Sequence, residues 1–265
     1  MATREDILAE LGLTPTWRRR GAFAASPTAT EHDVPAVQAV REPVPRSAPT
    51  SGPIQDSGTR SARIASLSWD DFAADVDACN ACGLCRTRHK SVPGVGVADA
   101  EWLFVGEAPG AEEDARGEPF VGQAGRLLDN MLAALDLARG RNVYIANVLK
   151  CRPPNNRTPE PGESDACRPY LERQVQLIHP KLIVALGKSA ASLLLGTDAT
   201  IASLRGRVHQ YRGVPLIVTY HPAYLLRNLP DKAKAWEDMV LARRSVATSD
   251  GQIVSTAVST SLPVA

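Results

Sequence analysis

Apolar positions along this chain keep two different rhythms. Four short runs, residues 102–105, 142–148, 181–186 and 214–220, are largely apolar, the pattern of strands covered on both faces of a sheet. Between them the spacing lengthens to three and four. In residues 123–137, Leu127, Leu128, Met131, Leu132 and Leu135 share one side of a helix, which core packing explains without a ligand. Further helices are predicted over residues 163–178, 188–195 and 231–247. Ser68 is placed to cap another, running through Cys79 with Trp69, Phe72 and Val76 on one face. A small hairpin is expected around residues 206–213. Strands alternating with helices predict an α/β fold, a three-layer sandwich around a short, mainly parallel four-stranded sheet.

Both ends break the pattern. Residues 1–66 read as an N-terminal extension, with a short helix near residues 4–12 followed, from residue 22, by a disordered linker rich in Ala, Pro, Ser, Thr and Val. The globular domain is expected over residues 67–247, with a disordered tail over 248–265. Trp17 and Arg18, Arg19 and Arg20 have two readings: a frayed terminus, or a peptide that docks on a protein partner or a DNA backbone.

Charge and cysteine content narrow the function classes. A net charge of +1 over 265 residues gives no bulk argument for nucleic acid, so any DNA binding must rest on a local basic face. No run approaches a membrane span, and the first residues lack the basic-then-apolar layout of a signal peptide, which predicts a cytoplasmic location. Disulfides are rare there, so five cysteines, an odd number, point to metal. Cys79 and Cys82 form a C-x-x-C pair, and Cys151 and Cys167 close a Pro-rich stretch of fifteen residues. These four make a closed set with Cys85 left over, and Cys85 could also stand in for Cys82. Zinc and an iron-sulfur cluster both fit that spacing, and five unrelated thiols is the plainer reading.

Chemistry is expected in the loop of residues 105–122, VGEAPGAEEDARGEPFVG, because loops leaving the carboxyl ends of parallel strands form the ligand crevice. A solvated connection is the simpler account of so acidic a loop. No phosphate-binding signature is present, and its carboxylates would repel a phosphate. What it offers is Glu107 directly after a strand and Phe120 after a Gly-x-Pro turn. Asn147 ends the second strand with both a donor and an acceptor, as needed to read an imide edge, though strand-end Asn usually caps a turn. His221 follows the fourth strand beside Tyr224, Leu225, Leu226 and Arg227. That set could wedge stacked bases apart while holding a phosphate, and a structural histidine is its ordinary alternative.

Together these residues resemble the family 4 uracil-DNA glycosylases, the iron-sulfur members of their superfamily. The motifs C-x-x-C-x-L, GEAPGAEEDARGEPFVGQAG, NVLKCRPPNNRTP, E-x-x-x-C, LGKSA and HPAYLLR occur in the family's order between Cys79 and Met239. The resemblance implies a structural 4Fe-4S cluster on Cys79, Cys82, Cys151 and Cys167, and a monomer that acts on uracil-containing DNA and is nucleoid-associated through it. Gly106, Glu107, Ala108, Phe120, Asn147 and His221 are then the uracil pocket, with Glu107 and His221 catalytic. Tyr224, Leu225 and Arg227 meet DNA, and Leu225 is the expected wedge with Tyr224 and Leu226 as rivals. The Asp of the related family 1 motif falls at Ala108, so Glu107 takes its place by neighbourhood. The Tyr that excludes thymine there falls at Gly110, and Glu113 is the substitute. A related group bonds covalently to the abasic sugar through a loop histidine; residues 153–162 contain none, so no adduct is expected. Rival functions are excision of another deaminated base, such as hypoxanthine, and a non-catalytic iron-sulfur DNA-binding protein.

Overall fold

A computed structural model describes the backbone of residues 57–255 and the side chains of residues 58–247. Its sheet contains β1 (Val95–Gly96), β2 (Trp102–Gly106), β3 (Val143–Asn147), β4 (Leu182–Leu186), β5 (Val208–Tyr211) and β6 (Val214–Thr219). They lie in the order β1-β3-β2-β4-β6-β5. The four apolar runs supply the parallel centre, while β1 and β5 pair antiparallel at the edges. The expected four-stranded sheet is therefore corrected to six. A two-residue strand is too short to show a rhythm, and β5 alternates exposed with half-buried positions, as an edge strand does.

Side-chain alternation gives the sheet two apolar faces. Leu103, Val105, Ala146, Ile183 and Val218 cluster with residues of α5 (Pro161–Ile178) and α6 (Lys188–Leu195). Phe104, Ile145, Val184 and Ile217 cluster with α4 (Gln123–Ala133) and α9 (Asp231–Ser255). The fold is thus mixed α/β with helices on both faces. Because β3, β2, β4 and β6 are parallel, their carboxyl ends share one edge, and in register Gly106 sits opposite Asn147.

Several boundaries differ from those read off the sequence. Helix α1 (Ser57–Ala65) lies within the stretch assigned to the linker, so the described fold begins at least ten residues before the expected boundary at 67. Its single fully buried side chain, Ile64, joins Phe72, Val76, Leu84, Leu149 and Tyr170 in a third apolar cluster, and one apolar residue makes no visible period. Helix α2 (Trp69–Ala78) is capped as expected, Ser68 Oγ accepting from the Asp71 N–H at 3.2 Å. Helix α3 (Ala111–Arg116) interrupts the acidic loop, and Gly117 ends it at φ 83°, a left-handed turn that favours glycine. Helix α4 stops at Ala133 although Leu135 and Leu137 remain buried beyond it, which is why the apolar pattern overran. Short helices α7 (Ile201–Leu204) and α8 (Pro222–Leu225) follow, and α9 runs to Ser255, past the expected end at 247. Readings made for residues 1–56 and 256–265 lie outside the described residues. Among the described residues no helix is long and apolar enough to cross a membrane.

Candidate active site

A cleft opens at the carboxyl edge of the sheet, lined by Glu107, Ala108, Pro109, Gly110, Glu113, Phe120, Ala124, Asn147, Pro153, Asn156, Arg157, His221, Ala223 and Arg227. Of the six residues expected to hold a base, five line it and Gly106 lies beneath. A methyl group on Gly106 would fall 2.4 Å from Asn147 Oδ1 and 2.6 Å from Phe120 Cζ. Only the missing side chain lets the amide and the ring approach this closely.

Asn147 is 2% exposed, and its Oδ1 has no hydrogen-bond partner among the described residues. A buried acceptor left unpaired costs about 1–3 kcal/mol, so its retention facing a cleft marks a place where a ligand donor belongs. Phe120 is 6% exposed and belongs to the α4-side apolar cluster, which makes it a floor of the cleft and not a free-standing platform. Its ring lies 5.5 Å from that of His221 with a 29° interplanar angle, and its backbone takes φ 54°. Arg139 holds that strained turn, donating to the Phe120 carbonyl at 2.5 Å and the Pro119 carbonyl at 2.8 Å while its Nε is paired with Asp129 at 2.6 Å.

His221 caps α8: its Nδ1 accepts from the Ala223 N–H at 3.1 Å. An amide nitrogen can only donate there, so the neutral ring carries its proton on Nε2. Burial pushes the His221 pKa down to about 4, the nearby Glu113 carboxylate opposing and the Arg227 cation adding to the shift. The ring is therefore a neutral donor at ordinary pH. Glu107 is half-buried in the cleft wall, and among the described residues no ion pair or side-chain hydrogen bond holds its carboxylate.

Glu113 has a different position from Glu107. One carboxylate oxygen accepts from the Gly110 N–H at 3.0 Å, the other from the Val121 and Gly122 N–H groups at 3.0 and 3.3 Å. It staples the two ends of the acidic loop together, a use that its sequence neighbourhood did not reveal. Arg157, Asn156 and Pro153 were also not singled out. Arg157 is held by Glu163 at 2.6 and 2.9 Å, and the Asn155–Asn156 pair, both at φ 54°, was the available turn signal.

The structure places the expected wedge residue inside the fold. Leu225 is 1% exposed, because the single turn of α8 points it inward where α8 packs on α4. Leu226, the next residue, is 38% exposed and Leu229 is 61% exposed. Tyr224 is half-buried, its hydroxyl donating to Asp231 at 2.7 Å and its ring stacked 5.1 Å from Tyr220. Arg227 is exposed at the rim.

All five cysteines, with Val76, Ala81, Lys150, Ala166 and Tyr170, line a second, enclosed pocket. Among the described residues no three metal-binding side chains are drawn together as one ion would require; a single zinc would bring thiolates to within ~4 Å of one another. The sulfurs instead surround a space, and donors face three of them. Arg60 reaches Cys79 Sγ at 3.3 Å, Arg88 reaches Cys151 Sγ at 2.9 Å, and the Lys150 N–H reaches Cys167 Sγ at 3.3 Å. Burial pushes the Cys82 and Cys151 thiols up and Cys167 to about 12. Burial acts upward on Cys79 as well, but the Ala81 N–H and Arg60 bring it below its ordinary value. An apolar wall, four or five sulfurs and cationic donors fit a multi-iron cluster better than one ion. Cys85 shares the pocket, so position alone does not set it aside.

The family model described as Uracil DNA glycosylase superfamily matches residues 93–240. The chain is 47% identical over 167 residues to a Type-4 uracil-DNA glycosylase of Archaeoglobus fulgidus, covering 60% of this chain and 83% of that protein. It is 48% identical to one of Thermotoga maritima, covering 58% and 80%. Similarity to a Type-5 uracil-DNA glycosylase of Pyrobaculum aerophilum is lower, 32% identical and covering 51% and 67%.

Proposed function

Since the chain belongs to the uracil-DNA glycosylase superfamily, with type-4 enzymes among its relatives, we infer the roles of its cleft residues in excising uracil from DNA during repair. Water adds across the bond between uracil N1 and the deoxyribose C1′. The products are free uracil and an abasic site.

The base must leave the stack to reach a cleft this deep. Asn147 Oδ1 accepts from uracil N3–H and its amide donates to O4, while Phe120 floors the ring. Cytosine has no N3 hydrogen and an amino group at position 4, so both contacts would meet like with like, a mismatch of roughly a hundredfold or more in rate. As the glycosidic bond opens, negative charge gathers on O2. The His221 Nε2–H is the donor suited to it, and because the ring is neutral its bond strengthens most in the transition state. Glu107, free of competing partners among the described residues, orients the attacking water and stabilises positive charge on the sugar. Exposed Leu226 takes over the wedge from Leu225, and Arg227 contacts the backbone at the rim.

A 4Fe-4S cluster on Cys79, Cys82, Cys151 and Cys167 would supply cross-linking of loops and no electrons to a hydrolysis. The donors Arg60, Arg88 and the Lys150 amide are the residues of this chain that would meet its sulfur ligands.

The observation carrying the reading is the buried Asn147 Oδ1, unpaired among the described residues, in the cleft that Glu107 and His221 also line. The test is incubation with uracil-, hypoxanthine- and cytosine-containing oligonucleotides followed by alkali. Cleavage confined to uracil, and reduced at least a hundredfold by Glu107→Gln with His221→Asn, is expected. Unchanged cleavage in that double variant would sink the assignment of roles.

A further inference from the structure

One fully buried cation stands between the cysteine pocket and the base cleft. Lys150 is 1% exposed. Its Nζ donates to the backbone carbonyl of Asn147 at 2.7 Å and to Gln174 Oε1 at 2.5 Å. Its own N–H meets Cys167 Sγ, and the residue is among those lining the pocket of sulfurs. Gln174, wholly buried, is fixed in turn by donating to the Pro93 carbonyl at 2.7 Å and to Tyr144 Oη at 3.3 Å.

Burying an ammonium is costly, and an apolar side chain of the same length would fill the space without that cost. What the charge gains here is a rigid tie to one particular carbonyl. Asn147 Oδ1 has no partner among the described residues to orient it, so the direction of the amide is set by its backbone and by the close walls of Gly106 and Phe120. A displacement of the reading group by about an ångström is enough to lose large factors in rate.

We propose that Lys150 is a positioning residue for base recognition: anchored by Gln174, it fixes the Asn147 backbone and thereby aims the amide that reads uracil. The proposal rests on the assignment of Asn147 as that reader. It also places the order of the cysteine pocket one residue away from the order of the base cleft, since Lys150 lines the first and holds the backbone of Asn147 in the second.

The test compares the full chain with its Lys150→Met variant, which keeps an unbranched side chain of nearly the same length and removes the charge. Three quantities are read: single-turnover excision at saturating enzyme, affinity for DNA carrying a tetrahydrofuran abasic analogue, and iron content with visible absorbance. Excision should fall at least tenfold, while abasic-DNA affinity stays within twofold and iron is retained, because an abasic site presents nothing for Asn147 to read. Wild-type excision by the variant, or an equal loss of abasic-DNA affinity, overturns the proposal. If Lys150→Met cannot hold iron, Gln174→Met removes the anchor without adjoining a cysteine. The same pattern, threefold or more, is expected there, and unchanged kinetics again overturns it. An unmodified chain that leaves uracil in place would instead refute the assigned function, and this proposal with it.

Discussion

Gly106 carries a constraint that no other side chain can meet. Its added methyl would lie 2.4 Å from Asn147 Oδ1 and 2.6 Å from Phe120 Cζ, so Gly106→Ala must push aside either the reader or the floor. Overpacking of this kind costs about 1–3 kcal/mol, which calorimetry should find. Uracil excision should fall by roughly a hundredfold, since the loss falls on geometry made for the transition state. His221 makes a second residue-scale prediction. Its folded pKa of about 4 lies below the ordinary 6.5, so between those values the unfolded chain binds more protons than the folded one. The stability linked to His221 is fully present above about pH 6.5 and is lost as pH falls towards 4. Excision should show no inflection near pH 6.5 on this account. An inflection there in kcat/KM that disappears in His221→Asn would show an imidazole titrating normally and refute the neutral donor.

Elements rather than single residues decide whether the acidic loop becomes a site. Between β2 and α4 the chain turns through α3 and back past Phe120, and two side chains hold it: Glu113 through three backbone N–H groups and Arg139 through two carbonyls. Arg139→Met should free the φ 54° turn at Phe120 and lower excision at least tenfold with α4 still folded, measured as activity against helical circular dichroism. Full activity in that variant would mean the turn is held by packing alone. Here the limits of sequence reading become physical. Glu107, Asn147 and His221 were legible because each directly follows or ends an apolar strand, and parallel strands must deliver their ends to one edge. Arg139 and Lys150 were not, because what each holds at the site is a backbone carbonyl, 19 residues away in one case, and carbonyls carry no sequence signature. The burial of Leu225 was not legible for a related reason: Leu225 and Leu226 are chemically alike, and the direction of one helical turn decides which faces water. Helix α1 went unseen because its contribution to the core is Ile64 alone among its wholly buried residues.

At the scale of the whole molecule, a net charge of +1 leaves DNA affinity to local cations. Many arginines are already engaged internally: Arg60 and Arg88 on sulfurs, Arg139 on the Phe120 turn, Arg157 on Glu163 and Arg205 on Asp238. Arg227 differs, being exposed at the rim of the cleft where a backbone must pass if the base is to enter. If it pairs with one phosphate, binding releases about one counterion through it, and the slope of log affinity against log salt should lose roughly 0.7–0.9 in Arg227→Ala. The loss should be the same for uracil-containing and uracil-free DNA of one length, because a phosphate carries no sequence information. Fluorescence anisotropy across a salt series measures both. Loss confined to uracil-containing DNA would instead put Arg227 on the base. It would then act beside His221, whose pKa it already helps to hold down, and the polarity of the cleft, not its rim, would be what that residue controls.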